Sequence, residues 1–192
     1  MQHRRQLFLA AAATLAAPAI LHAQIAATVQ SGSIADALAA DGRFGSFIEL
    51  LQKGGTLTAL RGAGNFTLFA PIDSGIDAIP LSIRDRFTPT QTGNDPSAGA
   101  DQVALGAFNS LHIVDGVYPI ASFQAANTAL RSRNTTMLNV QRTPESTLLV
   151  TLADTAGPGT GGIAMPRPAR VLVPVITAAN GIILPIDNAL LK

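Results

Sequence analysis

The stretch Val171–Leu191, VLVPVITAANGIILPIDNALL, constrains the fold more than any other part of this chain. Two runs rich in Val and Ile, Arg170–Thr177 and Gly181–Ile186, flank Ala179-Asn180-Gly181. Asn-Gly is a tight-turn pair, so the pattern predicts two strands joined by a turn. With Leu148, Leu149, Val150, Leu152 and Met165, these runs carry more apolar side chains than simple alternation supplies. Core packing accounts for most of that excess, and an apolar binding face is the alternative.

The amino-terminal half reads as helices. Ser33–Ala40 has Ser33 at the N-cap and Asp36 three residues on, the spacing of a capping box, and Asp41-Gly42 ends it. Phe44, Phe47, Ile48 and Leu51 fall at i, i+3, i+4 and i+7, which predicts a second helix over 44–53 with Gly54-Gly55 as its stop. Phe66–Ala70 is apolar and predicts a strand running into Pro71, after which Asp73 caps a short helix that finishes before Pro80. Asp77, four residues from Asp73, is expected to face water. Val103–Ile113 predicts a helix running into a strand, with Asp115-Gly116 as the turn. Strands are expected at Thr136–Arg142 and Thr147–Ala153. Helices ahead of a block of strands indicate an α+β domain.

Residues 1–23 have the pattern of an export signal. Arg4 and Arg5 precede an apolar run, Leu7–Leu21, and Leu21-His22-Ala23 offers a cleavage point. The run is shorter than the roughly 20 residues of a membrane span and is broken by Pro18. The paired arginines resemble those of a twin-arginine signal, and an ordinary secretion signal, which also carries paired arginines, is the alternative. Cleavage there leaves 169 of the 192 residues, enough for one domain with a real core. Residues 24–32 read as a linker and 33–191 as the domain.

Both Arg4 and Arg5 go with the signal, so the 13 basic residues of the whole chain fall to 11, against 12 acidic. No basic run appears, which argues against nucleic acid as a partner. Cysteine is absent, which excludes disulfides and thiolate chemistry. His112 is the one histidine beyond the signal, so a zinc site on imidazoles is not available within one chain. Ser110 and Asp115 are its near neighbours around one strand end, whereas a triad draws on separate elements. A structural histidine is the expected role. Gly157, Gly159 and Gly162 match a dinucleotide fingerprint formally, but Met165-Pro166-Arg167-Pro168 follows where a helix is required. No metal or cofactor is expected, and no enzyme. Thr88–Ala100 is a long polar loop.

Four strings in order resemble the fasciclin domain family over about Ser33–Leu190: SIADALAADGRFGSFIELLQKGG, TLFAPIDSGIDAIP, LHIVDGVY and VLVPVITAANGIILPIDNALL. Within them Ser33, Pro71, Asp73, Asn180, Gly181 and Asp187 are the structural-motif positions. The resemblance implies about seven strands in a wedge-like sheet arrangement with helices packed around it. It also implies a non-enzymatic adhesion module, exported to the cell surface or periplasm and contacting a protein or surface polymer. A soluble carrier for an apolar ligand, lipid or carotenoid-like, is the alternative. The expected contact residues are Leu111, His112, Asp115 and Tyr118, and the expected state is a monomer. Many members carry a tyrosine before the central histidine, where this chain has Leu111. Thr88–Ala100 looks like an insertion relative to compact members. Pro185 lacks the amide donor of a ladder residue, so an edge position or bulge is expected for it.

Overall fold

Ser33 starts the first helix, α1 (Ile34–Asp41): its hydroxyl accepts from the Asp36 amide while the Asp36 carboxylate accepts from the Ser33 amide. Gly42, in the left-handed region at φ 75°, turns the chain out of it. Helix α2 (Gly45–Lys53) buries Phe47, Leu50 and Leu51. Its entry residue Phe44 offers no side-chain cap; instead the Asp73 carboxylate accepts from the Ser46 amide at 2.8 Å. Asp73 therefore caps α2 across the fold and not its own short helix, α4 (Asp73–Asp77), which has no side-chain cap. Asp77 is exposed as expected and pairs with Arg84 at 3.4 Å.

In the computed structural model, residues 27–87, 101–124, 126–153 and 167–192 are described. The export signal expected at 1–23, residues 24–26, the loop at 88–100, and the tract Gly157–Gly162 with Met165 lie outside the described residues. Strands β1 (Ala27–Val29), β2 (Phe66–Pro71), β3 (Ile113–Asp115), β8 (Val175–Ala178) and β9 (Gly181–Ile186) form one sheet in the order β1-β8-β9-β2-β3. Strands β4 (Thr128–Arg131), β5 (Met137–Arg142), β6 (Leu148–Leu152) and β7 (Ala169–Arg170) form the other in sequence order. The described residues thus hold nine strands, two more than the expected seven or so. β1 lies where a linker is expected, and β4 carries too short an apolar run to signal itself. Helices α3 (Thr56–Arg61) and α5 (Leu81–Phe87) also go beyond the sequence reading: Gly54-Gly55 separates two helices instead of ending the helical region, and Pro80 precedes α5.

Burial explains the two sequence patterns. The five-stranded sheet lies between layers. One face, with Phe66, Leu68, Ala70 and Ile183, packs on the helices; the other, with Phe69, Ile182, Leu184 and Ile186, packs on the four-stranded sheet. Every residue of β2 and β9 is consequently buried, which gives continuous apolar runs. The outer sheet has one solvent face, and β6 alternates accordingly, with Leu148, Val150 and Leu152 inward.

The strand expected over 170–177 is two strands. The chain leaves the outer sheet after Arg170, passes a cis Val173–Pro174 peptide and enters the inner sheet at Val175. Pro185 is not at an edge, since β9 is the middle strand of five. Phe66 and Ile72 donate to the carbonyls of Asn180 and Ile186, so even-numbered residues of β9 carry the bonds to β2. The Pro185 nitrogen faces the opposite side, where the β8 pairing has ended at Ile176–Ile183. Leu172 stands opposite it there: its amide donates to the Pro185 carbonyl at 2.7 Å beside the Val171–Ile186 bridge, so the missing donor costs one bond of that short bridge and none of the bonds to β2 or β8.

Helices and inner sheet are tied together at the β8–β9 turn. Asn180 is 9 % exposed; its Oδ1 accepts from the Ile34 amide at 2.7 Å, and its Nδ2 donates to the Leu60 and Gly62 carbonyls at 2.8 and 2.9 Å. One side chain thereby satisfies an orphan donor at the start of α1 and acceptors at the end of α3. Gly181 follows at φ 154°, and a β-carbon there would stand 2.1 Å from the Phe66 carbonyl oxygen, so only glycine fits.

Replacing Asn180 with Ala should lower the unfolding free energy by about 3 kcal/mol, because buried backbone groups lose their partners. Asn180→Asp should do as much harm despite its shape, since a carboxylate cannot donate to two carbonyls. Urea titrations of both variants check this, and a loss below about 1 kcal/mol would contradict it. Asp73→Ala should cost about 1 kcal/mol as the loss of a helix cap.

Candidate interaction surface

The four expected contact residues divide between interior and surface. Leu111 and His112 are 2 % and 0 % exposed, so neither meets a partner on the folded surface; this corrects the expectation of direct contact. Leu111 ends helix α6 (Gln102–Leu111), whose inward face also carries Leu105, Phe108 and Asn109, and His112 is its C-cap. His112 lies against the rings of Phe47 and Phe108, at centroid distances of 5.4 and 4.5 Å. The Leu190 amide donates to Nε2 at 3.0 Å, which makes Nε2 an acceptor and places the proton on Nδ1. Nδ1–H donates to the Phe108 carbonyl at 2.8 Å. Burial lowers the imidazole pKa to about 4, against a smaller raising effect of the Phe108 bond. Both nitrogens are engaged with backbone, so the ring has none left to take a proton from a nucleophile.

Asp115, the last residue of β3, is exposed, and Tyr118, on the turn that follows, is half-buried against the core between the sheets. Thr67 of β2, itself buried, fixes this turn from beneath: its hydroxyl donates to the Gly116 carbonyl at 2.8 Å and accepts from the Tyr118 amide at 2.9 Å. The Gly116 amide donates to the Asn65 carbonyl at 2.7 Å. Gly116 sits at φ 103° under the Tyr118 ring, where a β-carbon would come within 3.0 Å of that ring. Arg133, which sequence reading did not single out, closes the far side. Its guanidinium pairs with Asp115 at 2.9 Å and lies over the Phe66 ring at 4.7 Å. Val117, within the expected contact segment 111–118 but not singled out there, has 46 % of its surface exposed. Arg133 carried no sequence signal, because it reaches the turn only through the β3–β4 contact.

The remaining motif residues have structural partners. Asp187 accepts from the Arg170 amide at 2.7 Å and from Asn188 at 3.1 Å, binding the end of β9 to β7. Pro71 closes β2 opposite Ile186. A hollow of about 410 Å³ at the start of α1 is lined by Ser31, Ser33, Asp36, Arg61 and Asn180, among others, and the Ser33, Asp36 and Asn180 side chains serve the caps described above. A smaller hollow of about 250 Å³ is lined by Ile120, Leu148, Val171, Leu172 and Val173 with Ser146, Thr147 and Arg170. No group of three or more potential metal ligands occurs among the described residues.

The buried imidazole gives a signed pH dependence. The unfolded chain takes up a proton near pH 6.5 while the fold holds His112 neutral down to about 4. More protons are bound by the unfolded state in that window, so stability falls as pH falls through it. The loss should total about 3 kcal/mol between pH 6.5 and 4 and be absent in His112→Gln. Denaturant titrations across that range check it; an unchanged pH slope in His112→Gln would contradict it.

Comparison with known proteins agrees with this architecture. A solved structure of a FAS1 domain pair from the insect cell adhesion molecule Fasciclin I superposes with a TM-score of 0.64 at 16 % identity, covering 84 % of this chain and 51 % of that one. The chain therefore spans about half the length of that solved pair. No curated protein sequence matches it. The Fasciclin domain family matches residues 42–192. The chain belongs to the fasciclin domain family.

Proposed function

We propose that this chain is a non-enzymatic interaction module, exported to the cell surface or periplasm, that meets a protein or surface-polymer partner through the turn Asp115–Tyr118. The observation that carries the reading is the rigidity of that turn. Thr67 fixes it with two hydrogen bonds, and it presents an exposed Val117 two residues after Asp115, which pairs with Arg133. An apolar anchor held in place before binding avoids the ordering cost that flexible loops incur. Leu111 and His112 support it from inside, where the His112 carbonyl accepts from the Phe69 amide at 2.9 Å. Family membership and the adhesion molecule of similar fold support an adhesive role. Arg4-Arg5 with the apolar run Leu7–Leu21 supports export, and no helix among the described residues is long and apolar enough to cross a membrane. The commitment of His112, Asp73 and Asp187 to backbone partners supports a non-catalytic role.

A carrier of a small apolar molecule is the second reading, favoured by the hollow at Ile120, Leu148 and Val171–Val173. Its volume of about 250 Å³ falls below the roughly 300–1,000 Å³ of ordinary small-molecule sites. Native mass spectrometry with a visible absorption spectrum separates the two. The interaction reading expects the bare polypeptide mass, and a stoichiometric coloured or lipid adduct would favour the carrier.

For the contact surface, beads coated with the protein should be retained by cells of its host. Val117→Asp combined with Asp115→Lys should reduce retention about tenfold or more, with melting temperature nearly unchanged. Undiminished retention by the double variant would move the contact surface elsewhere.

A further inference from the structure

The segment after β9 is held in an unusual way. Among the described residues, the last backbone pairing of this part of the chain is the Asp187 amide on the Arg170 carbonyl. Beyond it, Ala189 is 9 % and Leu190 2 % exposed, one packed into the core beneath the helices and the other into the core between the sheets. The hydrogen bond that holds the Leu190 amide goes to a side chain, Nε2 of His112. Lys192 adds a bond of 3.4 Å to the Thr136 hydroxyl, which does not titrate in the acid range.

We propose that residues 188–192 form an acid-released strap, locked by the neutral His112 ring and lifted when that ring takes up a proton, uncovering the apolar seat that Ala189 and Leu190 now fill. Protonation turns Nε2 from acceptor to donor, so it opposes the Leu190 N–H head-on. The new charge also lies in an apolar interior. Phe47 faces it from α2 and Phe108 from α6, a helix without a charged residue. Charged groups on the surrounding elements are engaged elsewhere: Glu49 with Lys53 on α2, Asp115 with Arg133 at β3, and Asp187 with the Arg170 amide. Asp101, at the far end of α6, pairs with Arg86.

A charged ring must therefore reach water, and the strap is the neighbour that moves most easily. The Nδ1–H bond to Phe108 survives protonation and strengthens, which keeps the ring on α6. Lifting 188–192 breaks no ladder bond of either sheet. The open fraction should rise about tenfold for each pH unit below about 6.5, until the closed form itself is protonated near pH 4.

Residue-resolved amide exchange on the full chain, at pH 6.5 and 4.5 with small additions of urea, tests this. Leu190 should lose about a hundredfold of protection between the two pH values, through an opening almost insensitive to urea. Phe69 should exchange only through urea-sensitive global unfolding. In His112→Gln, which keeps an acceptor but does not titrate, the Leu190 protection should not change with pH. Leu190 sharing the urea sensitivity of Phe69, or keeping its pH dependence in His112→Gln, would overturn the proposal. Should that variant fail to fold, the wild-type imidazole ¹⁵N signals decide. Nε2 must gain its proton over the same pH range in which Leu190 loses protection, and separate ranges overturn the proposal.

Discussion

Three hydrogen bonds from Asn180 hold the layers of this domain in register. The inner sheet has helices on one face and a second sheet on the other, so it can be fixed only at its ends. At one end Asn180 reaches the start of α1 and the end of α3, while Gly181 lets β9 lie against the Phe66 carbonyl. Burial supplies most of the favourable free energy of such a sandwich, but it is non-directional. Directional bonds from one buried amide decide where the helical layer sits. Asp73 does the same at the other end of β2, capping α2 from a distance.

The proposed contact surface inherits its rigidity from this arrangement. β2 is locked between β9 and β3, and Thr67 is buried on β2 with its hydroxyl beneath the Asp115–Tyr118 turn. Arg133 comes from the outer-sheet side and stacks on Phe66, the residue that packs against Gly181. The turn is therefore built on the joint between sheets. His112, one element away, serves the same joint from within; its ring connects α6 to the segment after β9 and is not available for chemistry.

The sequence carried the local parts of this structure well. The spacing of Ser33 and Asp36 placed the start of α1, the Phe44–Leu51 stripe placed α2, and the apolar runs placed β2 and β9. Boundaries set by tertiary contacts were not legible. Asp73 looks like the cap of its own helix because the sequence cannot show that the α2 amides lie nearer. Pro185 looks like an edge residue because its tolerance depends on where β8 turns away, at the Val173–Pro174 peptide. Leu111 and His112 lie beside Asp115 and Tyr118 in sequence, and only burial shows that the first two are interior, Asp115 exposed and Tyr118 half-buried. Arg133 is illegible for the same reason: an arginine in a turn has no periodicity to announce it.

The most direct test of the Asn180 clamp is the exchange of its own side-chain amide protons in deuterated solvent, followed by NMR on the folded protein. Both protons are donated to backbone carbonyls, one to the buried Leu60 and one to Gly62, from a side chain that is itself buried, so the account predicts exchange slowed by orders of magnitude, at the rate of the most protected backbone amides of β2. Exchange as fast as that of a surface asparagine in a hairpin turn would contradict it.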